Sequence, residues 1–390
     1  MKLNKVKWEV VKLGGICDKV KIADLKKQNG TFNYIDIGSI DSSLKKISTI
    51  QELNWKDASS RARQIIKQGD TLFSTVRVNL ERIAFVENDI PKGIASTGFT
   101  VIRANENTDS KFVFYTVSSP KFIEKLILLQ KGTAYPAVSD KIVFNEEIPL
   151  PPLSEQKQIA ALFQSIETAI EQVAAEAEKL KTLWKRMIDD FVNEIPVFGN
   201  LLKSKKLQTV NYCDVTEKLM RKIDPLTFEI ERIVAGENLE SEDFKIRTWQ
   251  IVGEGYLGPA FHVLFKASDI LYGSRRTYLR KVSLADFDGV CSNTTYVIKA
   301  KEEILLQDLL KHIMLSEKFT QYSIGVSKGS TNPYINWKDL DNFSFQIPDI
   351  QTQKEIVKVL DGILNFIEHL KQQKTTLQQL KQKLLNDILG

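Results

Sequence analysis

At 390 residues, 43% of them hydrophobic, the chain is longer than one ordinary domain and has enough apolar material for real cores. No run of about 18 apolar residues occurs, and MKLNKVKWEVVKLGG at the amino terminus has no uninterrupted apolar core, so neither a membrane span nor a leader is expected and the cytoplasm is the expected address. The formal net charge of +5 permits contact with a polyanion without requiring it, and the widely spaced Cys17, Cys213 and Cys291 have no metal-ligand spacing, so neither zinc nor disulfides are expected.

In chain order, short β-branched and aromatic runs come first: FNYIDIGSI, DTLFSTVRV and GFTVIRA, broken by Gly, Asn and Asp, read as strands. A helical stretch near Ser110 to Gln130 leads to the glycine of KGTAYPAV. IPLPPLSEQKQIA then opens a long helix, with prolines as an extended lead-in and Ser154 as the expected cap. Its seam runs Ile159, Phe163, Ile166, Ile170, Val173, Ala177, Leu180, Trp184, Met187 and Phe191, in alternating steps of four and three. Such alternation marks a coiled coil, and about 38 residues give a helix on the order of 57 Å, too long to bury against one domain.

The same order then returns. Strand-like DILYGSRR and TTYVIKA, a helical stretch near Glu302 to Ser323 and the loop KGSTNPYI precede a second long helix, displaced from the first by 197 residues. Its seam is Ile356, Leu360, Ile363, Ile367, Leu370, Leu377, Leu384 and Ile388, interrupted by Lys374 and Lys381. A repeat of this period is domain-sized. The expected architecture is therefore mixed α+β. A first domain spans residues 1–150, a long helix 151–196, a second domain 197–347 and a second long helix 348–390. A pseudo-two-fold relation would make the two helices an antiparallel coiled coil. Residues 1–150 carry a net +6 and 197–347 a net +1.

Hydrophobic positions recur between the copies while many polar ones differ: GDTLFSTVRVNLERIAFVE from Gly69 aligns with SDILYGSRRTYLRKVSLAD from Ser268, and Lys131, Gly132 and Pro136 return as Lys328, Gly329 and Pro333. Two Arg-rich turns and two Lys-Gly loops are the candidate contact groups, since both recur and both combine cations with polar or aromatic side chains. The first domain offers Arg77, Asn79 and Arg82 with Lys131, Thr133 and Tyr135. The second offers Arg275, Arg276, Tyr278 and Arg280 with Lys328, Ser330, Asn332 and Tyr334. Arg61 and Arg63 form a further cluster. Arginine grips guanine or phosphate, asparagine pairs with adenine, and tyrosine stacks or bonds phosphate. For any single member, a solvated charge or structural salt bridge competes equally with base contact.

The Gly/Ser-Asp-x-Leu run with its Arg-rich turn, the Lys-Gly segment and IPLPPLSEQKQIA before a coiled-coil helix, in order and twice, resemble the DNA-specificity subunit of type I restriction-modification systems over essentially the whole chain. PDIQTQ in place of PPLSEQ is the one local departure. The resemblance implies a noncatalytic reader of a bipartite double-stranded DNA site, with the two domains as its target-recognition domains and the two long helices as its spacers. It implies two modification (methyltransferase) subunits as partners, with restriction subunits in the full complex and no membrane. No cofactor is expected in this chain, while S-adenosylmethionine, ATP and magnesium are expected on the partners.

The residues agree with that lack of catalysis: no P-loop or HExxH occurs, and His262, His312 and His369 are scattered. Gly253, Gly255 and Gly258 spell GxGxxG, but alternating AFHVLF follows where a phosphate-binding helix would be needed, so the run reads as a turn between strands. Asn332, Pro333 and Tyr334 resemble only part of an amino-methyltransferase motif. Two other classes stand beside the preferred one. A stand-alone methyltransferase or nuclease requires cofactor-dependent activity of the chain alone. A coiled-coil assembly factor predicts no salt-sensitive DNA affinity.

Overall fold

The computed structural model describes residues 5–24, 29–193, 198, 202, 206–255 and 257–390, so the expected junction at 196/197 lies outside the described residues. The chain forms two compact units, residues 1–174 with 372–390, and residues 175–371. Each unit therefore holds half of each long helix.

In the first unit, two four-stranded sheets carry the domain. One runs Gln51–Asn54, Thr31–Ile35, Gly93–Ser96, Ala62–Ile65, and the other Cys17–Asp18, Phe99–Ala104, Thr71–Ser74, Ile83–Phe85. All neighbours are antiparallel except Thr31–Ile35 and Gly93–Ser96, which pair in parallel. The second unit repeats this with Gln250–Ile251, Arg232–Val234, Gly289–Ser292, Phe261–Phe265 and with Thr216–Leu219, Thr295–Ala300, Ile270–Gly273, Val282–Leu284, again with one parallel pair, Arg232–Val234 on Gly289–Ser292. The apolar runs form strands because both faces are covered: Leu72, Phe73, Phe99 and Val101 are buried in the first unit, as are Ile270, Leu271, Val297 and Ile298 in the second.

The recurring Gly/Ser-Asp pair is a scaffold device. Asp70 and Asp269, both buried, accept the amides of Lys67 and Lys266 at 2.9 Å and so close the turn before the strand. Each carboxylate needs a cation, and the two units supply it from different places, Arg103 at 2.6 Å and Arg221 at 2.6 Å. The acid repeats in sequence while its arginine does not. The expected helical stretches are each two helices, Ser110–Val117 with Pro120–Leu128, and Gln307–Ile313 with Glu317–Gly325. Pro120 starts the second helix of its pair, and Ser316 caps the other by accepting from the Phe319 amide at 3.1 Å.

A two-stranded ribbon closes each domain beside its long helix, Glu9–Lys12 with Glu147–Leu150 and Gln208–Asn211 with Ser344–Ile347. The long helices span Leu153–Val192 and Ile350–Leu389. Ser154 lies inside the first turn and is exposed, so the expected cap is not used; the Pro152 carbonyl accepts from Glu155 and Gln156 instead. The repeated glutamine holds the helix start. Gln156 donates to the Pro151 carbonyl at 2.8 Å and accepts from the Asp109 amide at 2.9 Å, and Gln353 donates to the Pro348 carbonyl at 2.9 Å and accepts from the Leu306 amide at 3.0 Å.

In the first unit residues 153–174 of one helix accompany 372–389 of the other, and in the second unit 175–192 accompany 350–371, an antiparallel pairing. Ile159, Phe163 and Ile166 share a core with Leu385 and Ile388, and Trp184 and Ile188 share one with Ile356 and Leu360. Every expected seam residue is buried or half-buried. Toward the helix ends the deepest position moves on by one residue, from Met187 to Ile188 and from Leu384 to Leu385. That drift is what a 3.6-residue helix does against a strict seven-residue repeat.

Candidate nucleic-acid interface

Each unit joins its Arg-rich turn to its Lys-Gly loop by the same main-chain bond. The Arg77 amide donates to the Pro136 carbonyl at 2.7 Å, and the Arg276 amide to the Pro333 carbonyl at 2.7 Å. Behind it Lys131 and Ala137 form a bridge in one unit and Lys328 and Tyr334 in the other, with Gly132 at φ 99° and Gly329 at φ 87° turning the loop where a side chain would be strained. Two segments separated by more than fifty residues thus become one surface in each domain.

The turns themselves are short 3-10 helices, Val78–Leu80 and Thr277–Leu279, flanked by left-handed residues: Arg77 at φ 50° and Glu81 at φ 49°, Arg276 at φ 51° and Arg280 at φ 51°. None is glycine, so each carries about 1–2 kcal/mol of backbone cost that surrounding bonds must offset. Gln130 does part of this by accepting the Val78 amide at 3.0 Å, a role the sequence offered no motif for.

The matched arginines are held differently. Arg77 lies over the Tyr135 ring at 4.8 Å and donates to the Ala134 carbonyl at 3.3 Å; Arg276 instead donates through Nε to Asn332 Oδ1 at 3.1 Å. Tyr135 and Asn332 occupy the same place before the shared proline. Exposed beside these arginines are Asn79, Lys131 and Thr133 in the first unit, and Arg275, Tyr278, Lys328, Ser330 and Tyr334 in the second. Arg275 bridges to Tyr334, and Lys328 pairs with Asp339 at 3.0 Å. The Lys328 ammonium and the Asn336 amide hold the Asp339 carboxyl below its ordinary range.

Arg61 and Arg63 are exposed at an edge strand. Thr97 donates to the Arg61 carbonyl, and Gly98 beside it accepts from Thr75, which connects this edge to the turn at Arg77. Arg63 Nε donates to the Ser60 carbonyl at 2.8 Å.

Two of the expected contacts are committed inward. Arg82 is half-buried and donates to the carbonyls of Ile37 and Ile40. Arg280 pairs with Glu242 at 3.1 Å and Glu317 at 2.6 Å and donates to the Leu315 carbonyl. Both brace the turn from behind. Sequence reading ranked them with Arg77 and Arg276 because it sees composition and not direction. Gly253 and Gly255, at φ 92° and 97°, lie in the segment between Gln250–Ile251 and Phe261–Phe265, with no helix following.

Each domain also meets its long helices through a buried polar cluster. Tyr115 donates to Glu167 Oε2 at 2.7 Å, and Lys381, one of the seam's interrupting lysines, pairs with Glu167 Oε1 at 2.6 Å. At the matching place in the second unit, Trp184 donates to His312 Nδ1 at 3.2 Å and His312 Nε2 faces Asp361 Oδ1 at 2.8 Å. Burial raises the Tyr115 phenol and lowers the His312 imidazole. Burial alone would raise Asp361, but His312 and Lys311 outweigh it and hold the carboxyl low. Among the described residues, no group of three or more His, Cys, Asp or Glu side chains is placed to hold a metal, and no helix is long and apolar enough to cross a membrane.

The family profile described as "Type I restriction modification DNA specificity domain" matches residues 5–182 and 217–379. The MjaVIII type I restriction enzyme specificity subunit of Methanocaldococcus jannaschii is 26% identical, with 98% of this chain and 92% of that protein covered. Among solved structures, a chain from a study of complex assembly and conformational transition in the type I R-M system is 27% identical, with a TM-score of 0.64 and 97% and 96% of the two chains covered. The HsdS subunit of Thermoanaerobacter tengcongensis is 28% identical, with a TM-score of 0.51 and coverages of 97% and 95%.

Proposed function

Since the chain belongs to the type I restriction-modification DNA specificity family, we propose that each unit reads one part of a bipartite double-stranded DNA site and that the paired helices set the unread gap. The observation that carries this is the twofold occurrence of one turn-and-loop surface, built on identical main-chain bonds but offering different side chains. Arg77 with Asn79, Lys131, Thr133 and Tyr135 contacts one half-site; Arg275 and Arg276 with Tyr278, Lys328, Ser330, Asn332 and Tyr334 contact the other. Arg61 and Arg63 touch backbone phosphate at the first. Arg82 and Arg280 position the turns rather than touch bases.

The chain is the noncatalytic component. Two modification subunits dock on it and methylate, using S-adenosylmethionine, and restriction subunits with ATP and magnesium complete the assembly. Helices of 40 residues, about 60 Å at 1.5 Å per residue, have the length to separate half-sites by a DNA turn of about 34 Å or more. Coexpression with the neighbouring modification subunit and mapping of N6-methyladenine tests the reading. A two-part motif with one fixed gap is expected, and a continuous motif, or methylation by this chain alone, would overturn it.

A further inference from the structure

The second reading turn is tied to the long helix by a run of ion pairs that one main-chain amide returns to the helix, all within the second unit. Lys185 pairs with Glu242 at 2.7 Å, Glu242 with Arg280 at 3.1 Å and Arg280 with Glu317 at 2.6 Å. The Glu317 amide then donates to Asp189 at 2.6 Å, which returns the run to the helix one turn beyond Lys185. Lys181 adds a second helix cation to Glu242 at 3.1 Å, and the Glu242 amide donates to the Arg280 carbonyl at 3.1 Å. Glu242 is left-handed at φ 55°, a strained conformation for a non-glycine residue, and its side chain is only 14% exposed. Arg280 Nε lies within ion-pair reach of Glu242 without a hydrogen bond, while Arg280 bonds Glu317 and the Glu317 amide bonds Asp189; such coupled charges around a strained, largely buried carboxylate fix direction more sharply than any one pair alone.

The first unit shows the same device with its signs reversed. Glu81 ends that turn where Arg280 ends the other, and its partner is Lys45, left-handed at φ 50° as Glu242 is. Lys46 beside it pairs with Glu171, so here the helix supplies the acid and the loop the base. Arg280 is also the residue that closes the turn carrying Arg276 and Tyr278. Its direction and theirs are linked through four residues of backbone.

We infer that the run Lys185–Glu242–Arg280–Glu317–Asp189 is a positioning device for specificity: it fixes the angle at which the second reading turn stands on its helix, and so narrows the range of gap lengths the protein accepts. The inference rests on the reading of a gapped site given above. Glu242→Lys with Arg280→Glu keeps a pair inside the domain, copied in sign from the first unit. The exchange sets an ammonium at position 242 against Lys181 and Lys185, and a carboxylate at position 280 against Glu317. Adding Lys181→Glu, Lys185→Glu and Glu317→Lys restores attraction both to the helix and to position 317.

The full chain, coexpressed with its modification subunit, is read by its genomic N6-methyladenine map. Wild type is expected to give one gap length. The double variant should methylate the same half-sites at gaps one base pair longer or shorter, with the preference for the original gap reduced roughly tenfold, a change of about 1.4 kcal/mol. The fivefold variant should return to one gap. An unchanged single gap in the double variant overturns the inference, as does a fivefold variant that stays broad. Should the double variant lose methylation altogether, Glu242→Gln, which keeps the side chain's shape, decides in the same way. A wild-type map without any gap defeats the functional reading itself and is recognised before a variant is made.

Discussion

His312 makes stability depend on pH in a window where no ordinary carboxylate titrates. Its Nδ1 accepts the Trp184 indole proton, so its own proton sits on Nε2 toward Asp361, and the ring is fully buried. A second proton would have to enter on Nδ1, against the indole donor. Burial therefore wins over the attraction of Asp361, which Lys311 at 3.0 Å also weakens, and the imidazole is lowered from 6.5. In the unfolded chain it titrates near 6.5, so below that value the unfolded state binds the extra proton and folding stability falls. While the folded ring stays neutral, the loss steepens below the unfolded value toward a limiting slope of about 1.4 kcal/mol per pH unit. Asp361 is lowered too, but its contribution is lost only below the ordinary carboxylate range. Urea melts followed by circular dichroism should show this slope in wild type. His312→Gln, which can accept from Trp184 and donate to Asp361 without titrating, should be less stable at pH 7.5 by about 1–3 kcal/mol yet show a shallower loss on acidification. Parallel pH profiles for the two proteins would refute the argument.

Arg276→Ala should weaken or relax methylation at one half-site only, by about 1–3 kcal/mol if the side chain meets a base edge; equal loss at both halves argues against modular reading. Exchanging the holders of the matched arginines, Tyr135→Asn or Asn332→Tyr, should shift the preferred base in the corresponding half-site of the methylation map and leave the other unchanged. Gln353→Ala strips the Leu306 amide and the Pro348 carbonyl of a buried partner and should cost roughly 2–4 kcal/mol in a denaturant melt, as should Gln156→Ala. Inserting four residues, about 6 Å, into both long helices should lengthen the gap in the methylated motif, and an unchanged gap would count against the helices as its determinant.

Much of the frame was legible because it is periodic. The alternation of four and three located both long helices, and the runs around Leu72, Val101, Leu271 and Val297 read as strands by their apolar and β-branched content; the fold buries all four residues. The repeat also pointed at the turn and loop as paired candidates. What the sequence could not carry was direction. Arg77 and Arg82 look alike in a string of letters, yet one faces out beside Tyr135 while the other is drawn inward by two carbonyls. Lys381 read as a flaw in the seam because its partner, Glu167, lies 214 residues away. Glu242 was passed over since its counterpart, Lys45, has the opposite charge, and a search for likeness discards such pairs.

The main-chain bonds that join turn to loop, Arg77 to Pro136 and Arg276 to Pro333, enlist no side chain. A substitution at Asn79, Tyr135, Tyr278 or Asn332 therefore alters what is presented without unfastening the platform that presents it. Target preference can drift one residue at a time through variants that all still fold, and each half of the molecule is free to wander independently of the other.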